Sequence, residues 1–248
     1  MPWHNPLTWT IGQILTAAQL NDQIRDNMQM TAPGVVVQAG DMVYATGPNA
    51  LTRLPIGTAG QVPTVNPSAN GLLYVTPGLT KLAESILLVD TANPITISGI
   101  SANYRHLYVT ANARTTRAST LDSLDFRFNG DAGSNYGWIQ DLAFSSSSTV
   151  SQTASAGAIA LAWIPGNTAT AGRAGIAELV IYDYARTTFH KLVMARSTSH
   201  VGNAGTDMSV VQLGGIWRNA AAINSISFFA DSGPGFVAGS TFAVYGMG

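Results

Sequence analysis

The chain of 248 residues contains no cysteine, and only 10% of its residues are charged. The lack of cysteine excludes disulfide bonds, thiolate catalysis and cysteine-ligated metal sites. Twelve basic and 13 acidic residues leave a formal net charge of -1, so the basic surface of a nucleic-acid-binding protein is missing and we expect no such partner. Few charges together with 46% hydrophobic residues indicate a folded protein whose surface is partly covered, as happens when identical chains pack along an axis.

Long hydrophobic segments are lacking too. The longest apolar runs, such as residues 86–89, are far too short to span a bilayer. The first five residues have neither the basic nor the apolar region of a signal peptide. We therefore expect a protein that is made in the cytoplasm, is not inserted into a membrane, and later becomes part of a particle.

Motifs for enzymatic chemistry are also missing from the sequence. The histidines (His4, His106, His190 and His200) do not have a zinc-binding spacing, and there is no nucleophile elbow or phosphate-binding loop. His190 is more typical of a solvated or packed side chain than of a catalytic base. We predict that the protein is not an enzyme and uses no cofactor or metal.

The first of three segments, residues 1–33, has the signature of a helix start. Thr16 and Gln19 have the spacing of a capping box. The helix that they begin should end before Pro33, because the residue before a proline avoids helical geometry. This segment is predicted to attach the protein to its neighbours.

The predicted helix carries one apolar stripe, formed by Leu20, Ile24 and Met28. A helix this short is marginal alone in water, so the stripe needs a partner. It could pack on its own chain or in a bundle of identical chains. Trp3 and Trp9 could insert into a neighbouring protein or simply cover the end of the helix.

The second segment, residues 34–80, alternates short β runs with Gly, Pro and Asn. Such runs are too short and too rich in proline for a central sheet, and they seldom bury enough apolar area alone. We predict a neck in which copies of the chain intertwine. The alternative is a long irregular linker, although loops of this length are uncommon in compact domains.

The third segment, residues 81–248, repeats period-2 runs separated by turn signals. About ten strands of similar length predict a C-terminal jelly-roll-like β-sandwich. The fold class is therefore mainly β, with a short N-terminal helix and an irregular Gly/Pro-rich neck. The predicted strands are 85–90, 94–100, 106–113, 121–129, 137–144, 158–164, 175–185, 189–197, 207–213, 223–230 and 241–245.

One turn in this segment is the main candidate site. The sequence FRFNGDAGSNY (residues 126–136) places Asn and Gly where a tight turn needs positive φ. Asn129, Asp131 and Asn135 could supply oxygen ligands to a cation such as Ca²⁺, but turn residues that bond their own backbone are favoured because the spacing of a calcium loop is not met.

Aromatic side chains with polar neighbours are the candidates for recognition of a carbohydrate or another surface. They are Tyr136, Trp138, Trp163 and Trp217, whose rings could stack on sugars. Each tryptophan also lies where a sandwich core would hold one, so core packing competes with binding at every position.

A sugar-cleaving enzyme is the remaining alternative. Glycosidases need two carboxylates that face a cleft, and Asp122, Asp125, Asp131 and Asp141 are close in sequence. Substitution of Asp125 or Asp131 would abolish sugar release only if the protein were a depolymerase.

Several of these motifs are similar to parts of tailed-bacteriophage fibre proteins. Residues 124–136 resemble a strand and turn of distal fibre domains, and INSISF (223–228) with GFVAGSTFAVYG (235–246) resembles their closing strands. WTIGQILTAAQLN (9–21) with IRDN (24–27) resembles an N-terminal attachment segment, and GDMVYATG (40–47) with LPIGTAGQ (54–61) resembles a fibre neck.

The resemblance implies a homotrimeric tail or head fibre, or a spike, of a virion. Its N-terminus would attach to other virion proteins and its β-sandwich would face outward and bind a host glycan or protein. A capsid or tail decoration or connector protein without a receptor is the first alternative, and a polysaccharide depolymerase is the second.

Overall fold

The computed structural model describes residues 7–29, 32–48, 50–66, 68–75, 78–145 and 147–248. The contacts between residues divide the chain into two compact units, Met1–Pro77 and Gly78–Gly248. This boundary lies near the start of the third predicted segment. The separation of the first unit into an attachment segment and an intertwined neck stays a prediction.

The described part of the first unit begins with short helical elements. They are α1 (Ala17–Leu20), a π-helix (Asn21–Asp26), α2 (Asn27–Gln29) and α3 (Ala32–Val35). The capping box is confirmed: the Gln19 amide donates to the Thr16 hydroxyl at 3.2 Å, and the Thr16 amide donates to the Gln19 side-chain oxygen at 3.0 Å. As expected, α2 ends at Gln29, before Pro33; Pro33 itself lies in the separate short helix α3. Near the start of a helix, the missing amide of proline leaves no internal hydrogen bond unmade.

Two antiparallel hairpins follow in the first unit. The strands β1 (Met42–Gly47) and β2 (Ala50–Leu54) form one, and β3 (Val62–Val65) and β4 (Leu72–Val75) form the other. Short β runs were predicted here, and two-stranded sheets of this size are marginally stable by themselves.

The Asp41 carboxylate ties the first hairpin to the segments around it. It accepts hydrogen bonds from the amides of Val37, Gln38 and Ile56 at 2.9–3.1 Å and from the Arg53 guanidinium at 2.6 and 3.1 Å. The Arg53 hydrogen bond, with help from the backbone amides, holds the pKa of Asp41 well below its usual range. A small unit with little core is thereby stabilised by polar contacts.

The described residues of the second unit (78–145 and 147–248) form fourteen strands. They are β5 (Leu79–Ile86), β6 (Thr91–Ala92), β7 (Ile95–Ser98), β8 (His106–Ala113), β9 (Leu121–Phe128), β10 (Tyr136–Phe144), β11 (Ser147–Ala156), β12 (Ile159–Pro165), β13 (Gly175–Ile181), β14 (Lys191–His200), β15 (Met208–Trp217), β16 (Ser225–Ala230), β17 (Gly235–Phe236) and β18 (Thr241–Met247).

Two antiparallel sheets form a β-sandwich. The larger has the order β11-β10-β15-β14-β13-β8-β18-β5 and the smaller β12-β9-β16-β7, while β6 pairs with β17. Eight of these strands can be numbered from first to eighth in chain order: β5, β7, β8, β9, β12, β13, β16 and β18. In these numbers the larger sheet contains the order 1-8-3-6, and the smaller sheet has the order 2-7-4-5. This is the strand order of a jelly roll, with two Greek keys.

Two hairpins extend the larger sheet beyond the jelly roll. The pair β10–β11 is inserted between β9 and β12, and β14–β15 is inserted between β13 and β16. Both hairpins extend the same edge of the larger sheet: β14–β15 lies next to β13, and β10–β11 lies next to β15. The larger sheet therefore has four strands more than the smaller one.

The core lies between the two sheets and is rich in aromatic rings. Phe128 contacts Phe126 and Trp217 at centroid distances of 5.2 and 5.6 Å, and Phe242 contacts Phe228 and Phe236 at 4.9 and 5.0 Å. All six side chains are at most 1% exposed. The period-2 pattern of the sequence places these rings inward, as expected for strands with one buried face.

Candidate functional site

The turn after β9 is fixed by hydrogen bonds within the protein. Asn129 and Gly130 have φ values of 51° and 68°, which confirms the predicted positive φ. The Asn129 side-chain oxygen accepts from the amides of Asn224 and Ser225 at 2.9 and 3.2 Å, and its nitrogen donates to the Ala222 carbonyl at 2.8 Å. Asn129 thus joins this turn to the segment before β16.

Both oxygens of the Asp131 carboxylate are also engaged. Trp217 Nε1 and Asn135 Nδ2 donate to one oxygen at 2.7 and 2.9 Å, and the Gly133 amide donates to the other at 2.9 Å. These bonds, chiefly that of Trp217, lower the pKa of Asp131. In the described ranges, no group of three or more His, Asp or Glu could hold a metal ion. The geometry supports the turn interpretation over a calcium site.

Two of the four predicted recognition residues belong to the core. Tyr136 is 0% exposed and Trp217 1% exposed, and their rings stack at 6.3 Å. The Tyr136 hydroxyl accepts from the Phe128 amide at 2.9 Å, and burial raises the pKa of Tyr136 to about 12. The prediction that these two rings contact a host surface is wrong, because the sandwich covers them.

The other two recognition candidates keep part of their surface accessible. Trp138 on β10 and Trp163 on β12 are half-buried and pack against the core. They belong to different sheets. The strand register places Trp163 opposite Ser123 and Trp138 opposite Gly215, so the structure does not assemble the four aromatic residues into one site.

The aspartates considered for glycosidase chemistry are distributed over different parts of the sandwich. Asp122 and Asp125 lie on β9 of the smaller sheet, Asp131 lies in the turn, and Asp141 lies on β10 of the larger sheet. Burial raises the pKa of Asp125 to about 7. Ser123 donates to its carboxylate at 2.5 Å. Asp125 alternates with inward-facing Leu124 and Phe126 and therefore lies on the outer face of the smaller sheet.

The most unusual surface is the outer face of the larger sheet. Eight apolar side chains on it are between 41% and 66% exposed. The strand register places them on five adjacent strands, β11, β10, β15, β14 and β13; Tyr182 directly follows β13. We call them the apolar outer face: Ile139, Val150, Ile176, Tyr182, Leu192, Met194, Met208 and Val210.

This face has a depression where a glycine interrupts a row of larger residues. Gly214 lies opposite Ile139 on one side and Met194 on the other. The absence of a side chain between them leaves a hollow, lined also by Val150 and Tyr182. A partner side chain could enter this hollow.

A charged group crosses the middle of the same face. Glu178 accepts hydrogen bonds from the Tyr108 hydroxyl and from Arg196 Nε. These contacts raise the pKa of Tyr108 to about 12 and lower that of Glu178, with the Tyr108–Glu178 hydrogen bond as the main cause of both. The charge of Glu178 is therefore balanced within its own chain.

The sequence of β14 carries a signal for this face. In β14, Leu192 and Met194 alternate with Val193 and Ala195, so both sides of the strand are apolar. A strand that is apolar on both sides is typical of one that is covered on both sides. The pattern indicates a partner, although it does not identify one.

The predicted attachment residues in the first unit are also on the surface where they are described. Trp9 and Leu20 are 40% and 39% exposed, and Ile24 and Met28 are 52% and 64% exposed. Trp3 lies outside the described residues. The apolar stripe is thus accessible to another molecule.

Comparison with family models, with curated proteins and with solved structures finds no match to this chain. No helix in the described part of the chain is long and apolar enough to cross a membrane.

Proposed function

We propose that the protein is a non-enzymatic subunit of a bacteriophage virion, in the form of a homotrimeric fibre or spike. The first unit attaches the chain to other virion proteins, and the jelly roll faces outward and binds a host surface. The resemblance of four sequence segments to phage fibre proteins supports the virion, and the half-buried Trp138 and Trp163 are the remaining candidates for contact with the host.

One observation carries this proposal. Both compact units expose apolar side chains in clusters, Leu20 and Ile24 in the first and the apolar outer face in the second. Apolar patches of a few hundred Å² on a protein surface are often functional, and larger ones mark interaction sites. A subunit of a larger assembly has such surfaces because its partners cover them.

Light scattering on the purified full chain tests the assembly. We expect the mass of three chains at micromolar concentration, and a monomer would contradict the proposal. Binding of the purified chain to susceptible host cells separates a receptor-binding fibre from the decoration or connector alternative, which predicts an assembled chain that does not bind. Incubation with host glycans and a reducing-sugar assay tests the depolymerase alternative.

A further inference from the structure

We infer that the apolar outer face is the surface through which copies of this chain pack against one another, so that the smaller sheet is directed away from the assembly. The inference rests on the proposed function, which requires several copies but does not say which surface joins them. It assigns the interface to strands β10, β11, β13, β14 and β15.

The two outer faces of the sandwich differ in how far their apolar side chains are exposed. The outer face of the smaller sheet includes Ser123, Arg127, Ser227 and Thr96 together with the half-buried Trp163 and Phe229, and the Thr96 and Ser227 hydroxyls are hydrogen-bonded to each other at 2.8 Å. None of the large exposed hydrophobic residues that the structure describes lies on the four strands of that sheet. The outer face of the smaller sheet is therefore compatible with contact to water, whereas the outer face of the larger sheet favours contact with a partner that excludes water.

The size of the apolar outer face matches what an interface between chains requires. Burial of one large apolar side chain contributes about 1.5–3 kcal/mol, and each Å² of buried apolar surface contributes about 25 cal/mol. One such side chain therefore removes about 60–120 Å² of apolar surface from water. Eight such side chains at roughly half exposure offer about 250–500 Å². A standard interface takes about 800 Å² from each partner, of which about 450 Å² is apolar.

A polar row crosses the middle of the apolar outer face. The register places Glu178, Arg196, Gln212 and Asp141 side by side on β13, β14, β15 and β10. Glu178 is already bonded to Arg196 and Tyr108, so burial of this pair leaves neither charge without a partner. Asp141 is exposed, so an interface must leave it in water or give it a partner from the other copy.

A second copy suits this surface better than a host glycan does. Sugars are recognised by aromatic platforms with hydrogen-bonding neighbours, whereas the exposed Ile, Leu, Val and Met side chains offer no hydrogen-bond groups. Another copy brings the same apolar area and the same Glu178–Arg196 pair. Contact between the apolar side chains is favourable by itself.

A photo-cross-linker placed on the face tests the inference in the full chain. In the variant Met194→p-benzoylphenylalanine, irradiation should shift the denatured chain from 25.9 kDa to about twice that mass, and mass spectrometry should locate the second attachment point on β10, β11, β13, β14 or β15 of another copy. Leu88→p-benzoylphenylalanine is the matched control, because Leu88 is 87% exposed and lies in the loop after β5, outside the face.

The outcomes separate the inference from the proposed function. A trimer by light scattering that yields no cross-link at position 194, only a cross-link within one chain, or no more than the Leu88 control overturns the inference and leaves the assembly standing. A monomer overturns both. A cross-link at position 194 that forms only after host envelope is added identifies a host partner and likewise overturns the inference.

Discussion

The carboxyl group of Asp125 has an environment that opposes its charge. It is 9% exposed on β9, and burial raises its pKa to about 7, which is above the value of about 3.9 in an unfolded chain. The folded protein therefore binds this proton more tightly than the unfolded chain does. The stability that results is present at low pH and is lost as the pH rises from about 4 to 7.

Replacement of Asp125 by asparagine should stabilise the protein at alkaline pH. Asp125→Asn removes the buried charge and keeps an oxygen for the Ser123 hydroxyl. We expect a gain of about 2–4 kcal/mol in the free energy of unfolding at pH 8 and little change at pH 4, measured by urea denaturation. Asp141→Asn, which removes an exposed carboxylate, is the control. A gain of equal size at both pH values would contradict the assignment.

Asp131 is predicted to behave in the opposite way. Its pKa is lowered by hydrogen bonds from Trp217, Asn135 and Gly133, so its contribution to stability is present above the unfolded pKa and is lost as the pH falls through the folded one. Asp131→Asn should cost about 1–2 kcal/mol at pH 7 and progressively less below about pH 4. A cost that does not change between pH 7 and pH 3 would show that the carboxylate charge is not involved.

At the scale of elements, the first hairpin depends on one carboxylate. Asp41 accepts from Val37, Gln38 and Ile56 amides as well as from Arg53. In Asp41→Asn, the loss of charge weakens all of these bonds together. Hydrogen exchange at those amides should accelerate by about tenfold or more, while the amides of β13 and β14 stay protected. Unchanged exchange at Val37 and Ile56 would disprove this role, and Asp90→Asn in the second unit is the matched control.

The elements that the sequence predicted best are those with one buried face. The strand over residues 106–113 was predicted with the bounds that β8 has, and the strand over 121–129 differs from β9 by one residue. Alternation between apolar and polar residues follows directly from the pleat when one side faces a core. Strands with one buried face can therefore be predicted from the local sequence alone.

Two other elements show where this reasoning fails. No strand was predicted over β11 (Ser147–Ala156), because this edge strand is largely exposed and has no apolar alternation. The strand predicted over 85–90 is shifted relative to β5 (Leu79–Ile86). The apolar run 86–89 suggested a strand, yet Leu88 and Val89 lie in an exposed loop; partner strands decide such cases more than propensity does.

At the scale of the whole molecule, the second unit contains a complete jelly roll with its own core. We predict that the fragment Gly78–Gly248 folds without the first unit and unfolds in one cooperative urea transition. A fragment that ends before β18 should not fold, because β18 lies between β8 and β5 and pairs with both. Circular dichroism checks both fragments, and a disordered Gly78–Gly248 would contradict the division into units.

The sequence by itself determined the fold class, the capping box at Thr16 and the positive-φ turn at Asn129 and Gly130. Each depends on residues that are close in the chain, where spacing and backbone sterics are sufficient. The tertiary structure alone decided the positions of the aromatic candidates. Tyr136 and Trp138 are two residues apart, yet one is buried and the other half-buried.

The apolar outer face was likewise decided by tertiary structure. Its residues are spread from Ile139 to Val210, and only the order of the strands brings β10, β15, β14 and β13 side by side. Sequence distance gives no measure of which strands pair, because pairing is set by the packing of the whole sandwich. The chain therefore specified which residues are apolar, and the jelly roll with its two inserted hairpins specified which of them remain on the surface for a partner.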